Sequence, residues 1–342
     1  MKKKKIILVG SLLLLCQTAS VIAQSSLPVK SDTVKKTTIV EKTGLKIAGF
    51  VNLRYQNISS GYVSGKSNFD LKNAIIDMTG NYSSTISYRV RFDLGGLSVG
   101  LLDAYAEWKP FSFIGVKFGE FQLPYTFENQ YIPKTLETAD NSQVISSLVF
   151  NGSKGRDIGI NINGSILPMS GYNLIEYKLA ALNGNGFNKV DDNLDLDLLG
   201  SLYVNPIQSL SVVGSYLSGR TTTVGAAKSQ EKHITAFGAK YEDAKLLIRA
   251  EYINGTTLGV NSSGYYGVIG YFINSHIQPI LKYDYYQSNM NNQNSGTTKY
   301  LVGLNYWLAS KTRLMLSYNY SVSKDPAVKE VGLLSAGCIV TF

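Results

Sequence analysis

Arg89 and Arg91 stand two residues apart in the run RVRFD, Arg89–Asp93. On an extended strand that spacing turns both guanidinium groups to one side, roughly 7 Å apart. Fixed cations facing water draw anions, and rings of them bias a pore toward anions. Arg54 and Lys117 fall on nearby strands and would enlarge the pair into a basic patch. Asp103 and Glu107 offer Arg91 a partner, so the same residues also read as a row of solvated ion pairs. Arg249, Lys282 and Arg313 are further cations on polar strand faces, and Lys134 lies on an irregular stretch. Acids on such faces, Asp93, Glu176, Glu251 and Asp284 among them, mix the signs, so no overwhelming field results.

Covalent chemistry has less to work with. His233 and His276 fall at opposite ends of the strands that carry them. A hydrolytic site needs a histidine, an activated serine and an orienting group within hydrogen-bond reach. The chain has no GxSxG, and an activity would have to die with His233 or His276. Neither HExxH nor CxxC occurs. The carboxylates of DNLDLD, Asp192–Asp197, lack the loop geometry of a calcium site and read as a hydrophilic strand edge. The glycines of GNGFN, Gly184–Asn188, mark a turn. Cys16 falls in the leader, which leaves Cys338 without an intramolecular partner, a small apolar residue on a strand face. No enzyme, cofactor or metal is expected.

Strands must position these residues. In LKIAGFVNLRYQ, Leu45, Ile47, Val51, Leu53 and Tyr55 share a face, and Lys46, Asn52, Arg54 and Gln56 share the other. Leu314, Leu316, Tyr318 and Tyr320 alternate in the same way with Arg313, Ser317 and Asn319. About sixteen such segments follow from residue 45 to the end, joined by connections that alternate short and long. Apolar-out, polar-in strands of about ten residues, even in number, with short turns at one end and longer loops at the other, describe an antiparallel transmembrane β-barrel. Short turns are expected near Pro110, Asn205–Pro206 and Asp243, and longer loops near 58–67, 122–155 and 255–262. With 23 Tyr, 32 Gly and only 17% charged residues the composition agrees. The bland alternative is a secreted β-sandwich or solenoid; a sandwich has no reason to alternate its loop lengths.

One stretch does not fit. Gln122–Gly155, QLPYTFENQYIPKTLETADNSQVISSLVFNGSKG, keeps neither a strand nor a helix period. Connections this long inside a compact domain are usually functional. As the third external loop it is expected to fold into the lumen and narrow it.

Lys2–Lys5, the apolar run Ile6–Leu15 and the small-residue end at Ala23 read as a signal peptide over 1–23. Residues 24–44 read as a flexible periplasmic lead, and 45–342 as the barrel. Four of the nine excess positive charges sit in Lys2–Lys5. The remainder is too mild to point to nucleic acid.

The pieces RVRFD, LLDAYAEWKP (Leu101–Pro110), VKFGEFQLPYTFEN (Val116–Asn129) and GRDIGI (Gly155–Ile160), in this order, resemble the phosphate-selective porin O/P family. The resemblance implies a bacterial outer-membrane porin. It implies a sixteen-stranded barrel, usually a homotrimer, with the third loop folded inward. It also implies passive diffusion of small hydrophilic solutes, anions such as phosphate among them. The partners are then outer-membrane lipid and those solutes. The alternative is a closed barrel acting as an adhesin or surface-binding protein. A gated receptor with a separate plug is disfavoured, since about twenty residues before the first strand are too few for a folded plug.

Overall fold

The computed structural model describes residues 44–60, 63–95, 99–150, 152–191, 195–221 and 229–342. The expected signal segment and residues 24–43 of the lead lie outside them.

Sixteen antiparallel strands follow one another around a closed barrel. The first five are β1 (Lys46–Ser60), β2 (Val63–Asn81), β3 (Ile86–Asp93), β4 (Gly100–Phe111) and β5 (Ile114–Gln122). After the irregular segment come β6 (Arg156–Pro168), β7 (Asn173–Leu182), β8 (Asp197–Ile207), β9 (Leu210–Thr221), β10 (Gln230–Glu242) and β11 (Leu246–Thr257). The last five are β12 (Val260–Tyr271), β13 (Ile277–Gln287), β14 (Gly296–Ala309), β15 (Thr312–Ser323) and β16 (Val331–Thr341). The β1–β16 ladder runs from Phe50↔Thr341 to Ser60↔Val331 and leaves no edge. In lipid an open edge would strand unsatisfied backbone groups. At the seam Gly49 and Phe342 exchange two backbone hydrogen bonds of 3.1 and 3.0 Å. A Cβ on Gly49 would meet the Phe342 ring at 2.4 Å and Ile75 O at 2.3 Å, so this crossing needs glycine.

The alternation holds. On β11, Ile248, Ala250 and Tyr252 are exposed while Leu247, Arg249, Glu251 and Ile253 are buried. On β14, Tyr300, Val302 and Leu304 are exposed, and Leu301 and Asn305 are buried. The exposed apolar residues form the outer face.

Two expected loops are not there. The β1–β2 ladder continues to Ser60↔Val63, so 58–67 is mostly hairpin strand. β11 and β12 are joined by Leu258 and Gly259 alone, both with positive φ (51° and 73°), as a two-residue hairpin turn demands. Pro110 and Pro206 lie inside β4 and β8, so those turns fall two residues further on. Proline is tolerated near a strand end, where its missing N–H costs little.

Two bulges matter for the interior. Lys72 is an extra residue between the pairs Asn52↔Asn73 and Leu53↔Leu71. Leu102 is an extra residue between Arg91↔Asp103 and Phe92↔Leu101. A bulge shifts the side-chain parity of its strand. As a result Leu102 and Asp103, adjacent in the chain, are both buried.

Candidate constriction site

The segment after β5 is tied at its neck. Leu123 N donates to Gly155 O (2.8 Å), and Asn129 Nδ2 donates to Leu123 O (2.6 Å). Gly155 has φ +67° and a Cβ there would meet Asn129 Oδ1 at 2.2 Å, so the neck closes only with glycine. Thr126 caps the one-turn helix α1 (Phe127–Gln130), its side chain accepting from Asn129 N at 3.4 Å. Ile145–Phe150 forms a π-type turn.

One side of the segment packs against strands β7–β14. Its Leu123, Tyr125, Val144, Ile145, Leu148 and Val149 form one buried cluster with inward wall residues that include Leu182, Leu199, Leu217, Ile234, Ile253 and Ile280. The expectation of a uniformly hydrophilic inner face is corrected here. Inward positions are apolar where the segment needs a dry seat, and each large side chain buried there is worth about 1.5–3 kcal/mol.

Polar groups fix the register of that contact. Ser201 Oγ donates to Pro124 O and Ser215 Oγ to Tyr125 O, each at 2.6 Å. The fully buried Glu128 accepts from Ser142 Oγ at 2.8 Å and from Lys282 Nζ at 3.1 Å, with Arg249 Nη2 at 3.5 Å. Its own N–H donates to Glu251 Oε1 at 2.7 Å. Arg249 Nη2 pairs with Glu137 at 2.6 Å, and its Nε donates to Tyr266 OH at 2.8 Å. Gln143 N donates to Asp284 at 2.8 Å. Arg313 Nη2 donates to Leu136 O (2.8 Å) and Pro133 O (3.2 Å). Burial opposes ionisation of Glu128, yet Lys282, Arg249 and Ser142 outweigh it and hold the carboxyl below its ordinary value.

Three of the sequence-derived cations, Arg249, Lys282 and Arg313, are therefore buried beneath the segment and hold it. The others, apart from Lys134, lie toward β1–β6. Arg54 Nη2 pairs with its cross-strand neighbour Asp70 at 2.6 Å and Nη1 with Asp140 at 3.0 Å. Lys72 Nζ reaches the same Asp140 at 2.5 Å and also donates to Ala139 O. Burial raises the Asp140 pKa, but Lys72 and Arg54 bring it below the ordinary value. Arg89 and Arg91 do stand together, and they share one acid, Asp77, at 2.6 and 2.8 Å. Asp103 joins Arg91 (3.0 Å) to Arg156 (3.0 Å). Glu107 accepts from Asn163 Nδ2 at 3.1 Å. Lys117 Nζ sits 4.4 Å from the centre of the Tyr105 ring. Lys134 lies half-buried on the segment. The patch of Arg54, Arg89, Arg91 and Lys117 is thus divided among separate partners, and Arg91–Asp103 is one of the pairs anticipated.

Asp70, Asp77, Glu128, Glu137, Asp140 and Arg156 are the polar residues that sequence reading passed over. The Lys72 bulge hides Asp70 and Asp77 from a strict period of two. The acids of the segment carry no periodic signal, although an unbroken acidic residue in LPYTFEN could have prompted a search for a cation on the wall. Between the segment and β1–β6 a cavity of about 330 Å³ remains. His233 stands on β10 with Tyr216 OH at 3.1 Å and Ser218 Oγ at 3.3 Å on the same nitrogen, and Glu231 at 3.4 Å. His276 caps a turn at the other end, 2.8 Å from Trp307 O.

A closed sixteen-stranded barrel with an apolar outer face and a long segment bonded to its inner face is the architecture of outer-membrane porins. Residues 45–164, from β1 into β6, match the family model of phosphate-selective porin O and P. Among solved structures the chain resembles the anion-selective porin from Comamonas acidovorans, with TM-score 0.70 and 11% identity over 88% of this chain and 100% of that one. It also resembles the outer membrane channel DcaP of Acinetobacter baumannii, with TM-score 0.67 and 12% identity over 87% and 97%. The in-vitro folded trimer form of OmpT of Vibrio cholerae gives TM-score 0.62 and 12% identity over 87% and 99%. No curated protein matches. Matched family and fold are those of a channel rather than an enzyme.

Proposed function

We propose that the chain is a diffusion porin in which residues 123–155 are the constriction, passing small hydrophilic solutes with a weak preference for anions. The observation that supports this reading is a segment held inside the barrel from several sides, packed on β7–β14 and tied to β1 and β2 through Asp140, with a cavity beside it against β1–β6. Solutes cross without bond chemistry, so residues act by setting radius and potential. The weak preference follows from pairing: Asp70, Asp77, Asp103 and Asp140 each hold cations that would otherwise face the passage. A homotrimer is part of the proposal, supported by the trimer form of the similar OmpT. The signal peptide 1–23 and periplasmic lead also remain part of it.

The test is single-channel current from the purified protein in planar bilayers under a salt gradient. A finite conductance with a reversal potential slightly on the anion side supports the reading. A sealed membrane overturns it in favour of the closed adhesin barrel, in which the same packed segment would act as a plug.

A further inference from the structure

The lining of the cavity between the segment and β1–β6 combines two chemistries. The basic part is Lys72, Arg91, Lys154 and Arg156 with a single lining acid, Asp93, beside neutral polar residues such as Gln122 and Asn141. The apolar part includes Phe50, Ile75, Leu102, Leu136 and Phe150. The basic part is built rather than incidental. Arg91 and Arg156 are 2% and 6% exposed and are set in place by Asp77 and Asp103. Arg91 Nε is buried with no hydrogen-bond partner among the described residues. Lys154 Nζ lies 3.8 Å from Asp93 and 5.4 Å from the centre of the Phe187 ring, and its side chain is 45% exposed. The apolar part owes its reach to the Leu102 bulge, which turns that residue inward beside Asp103.

We infer that this cavity is a binding site for small carboxylates that carry an apolar body, the class of benzoate, and that it selects them over phosphate. The inference rests on the proposed constriction and names the solute that the constriction favours. Carboxylate oxygens meet Arg91 and Lys154 while the ring lies against Phe50, Leu102 and Leu136. A volume of about 330 Å³ lies at the lower end of small-ligand pockets and suits a molecule of this size. Inorganic phosphate needs donors on all sides to replace its water. Here the apolar lining residues offer none, so it gains less on entry. Acetate has the charge without the body and forfeits the apolar contact.

The test is isothermal titration calorimetry of the full chain in detergent with sodium benzoate, acetate and phosphate. Benzoate is expected to bind about tenfold or more tightly than either of the others. Arg91→Gln is expected to weaken benzoate about tenfold. Leu102→Asn is expected to weaken benzoate and leave acetate unchanged. Should Arg91→Gln fail to fold, Lys154→Gln probes the same basic part from an exposed position. Phosphate binding as tightly as benzoate, or benzoate binding indifferent to both Arg91→Gln and Lys154→Gln, overturns the inference. Bilayer current separates the two readings: binding without conductance retires the channel and keeps the site, and conductance without benzoate binding does the reverse.

Discussion

The two sides of the lumen use the same residue types for opposite ends. Arg249 on β11, Lys282 on β13 and Arg313 on β15 are buried and spend their donors on the segment. Toward β1–β6, Arg89, Arg91 and Arg156 are strung together by Asp77 and Asp103 along a cavity wall. An inward arginine on a barrel strand is therefore not a pore residue by position alone. What covers it decides. Where apolar residues flank it and a loop carboxylate reaches it, it is a fastener. Where wall carboxylates pair it and space remains in front, it shapes a potential.

The sharpest way to break this comparison is to remove the segment. Replacing 126–149 by a short Gly/Ser link is expected to raise single-channel conductance several-fold, because the fastened side and the open side become one lumen. An unchanged conductance would falsify the constriction.

Smaller but still large is the effect of Glu128→Gln. Two buried cations lose their shared counter-charge, at a cost of about 3–5 kcal/mol to docking. Limited proteolysis should then cut near 131–142 where the wild type resists, while the barrel itself stays folded. Acid should reach the same state by another route. Glu128 and Asp140 both titrate below their ordinary values of 4.5 and 3.8. A depressed acid stabilises docking above its unfolded pKa, and that contribution is lost as pH falls through the folded value. The contribution of Glu128 and Asp140 to docking is thus expected to hold at neutral and mildly acid pH and to be lost below their ordinary values. Protease sensitivity appearing already near neutrality would contradict the assignment.

The smallest expected effect sharpens the open side. Asp77→Asn frees Arg89 and leaves Arg91 to Asp103 alone, and a unit charge a few ångström from a solute in water-like surroundings is worth about 1 kcal/mol before screening. The anion-over-cation permeability ratio should rise about two- to fivefold on that basis. Arg89→Gln with Arg91→Gln should move the reversal potential the other way. If neither shifts it, the wall plays no part in selectivity.

Much of the fold was legible because a bilayer forces a simple rule on each strand. Leu314, Leu316 and Tyr318 had to face lipid, so Arg313 and Ser317 had to face in. The irregular segment stood out by length and by its prolines. Its seat did not, since Leu199, Ile253 and Ile280 look like ordinary strand residues until the partner Val144 or Ile145 is placed against them. Asp77 was hidden by one inserted residue at Lys72, which resets the alternation of β2. Glu128 was hidden because a lone acid in a loop has no period at all, and its meaning comes from Lys282, far along the chain.

That distance has a consequence for how the molecule is made. The contacts that seat the segment reach 123 residues onward to Glu251, 154 to Lys282 and 177 to Arg313. Contacts so remote in sequence form late and slowly. Residues 123–150 therefore complete their seat only with β11, β13 and β15 in place, and they take their shape from the inside of a largely formed cylinder. The opening is sized last, after the wall that surrounds it.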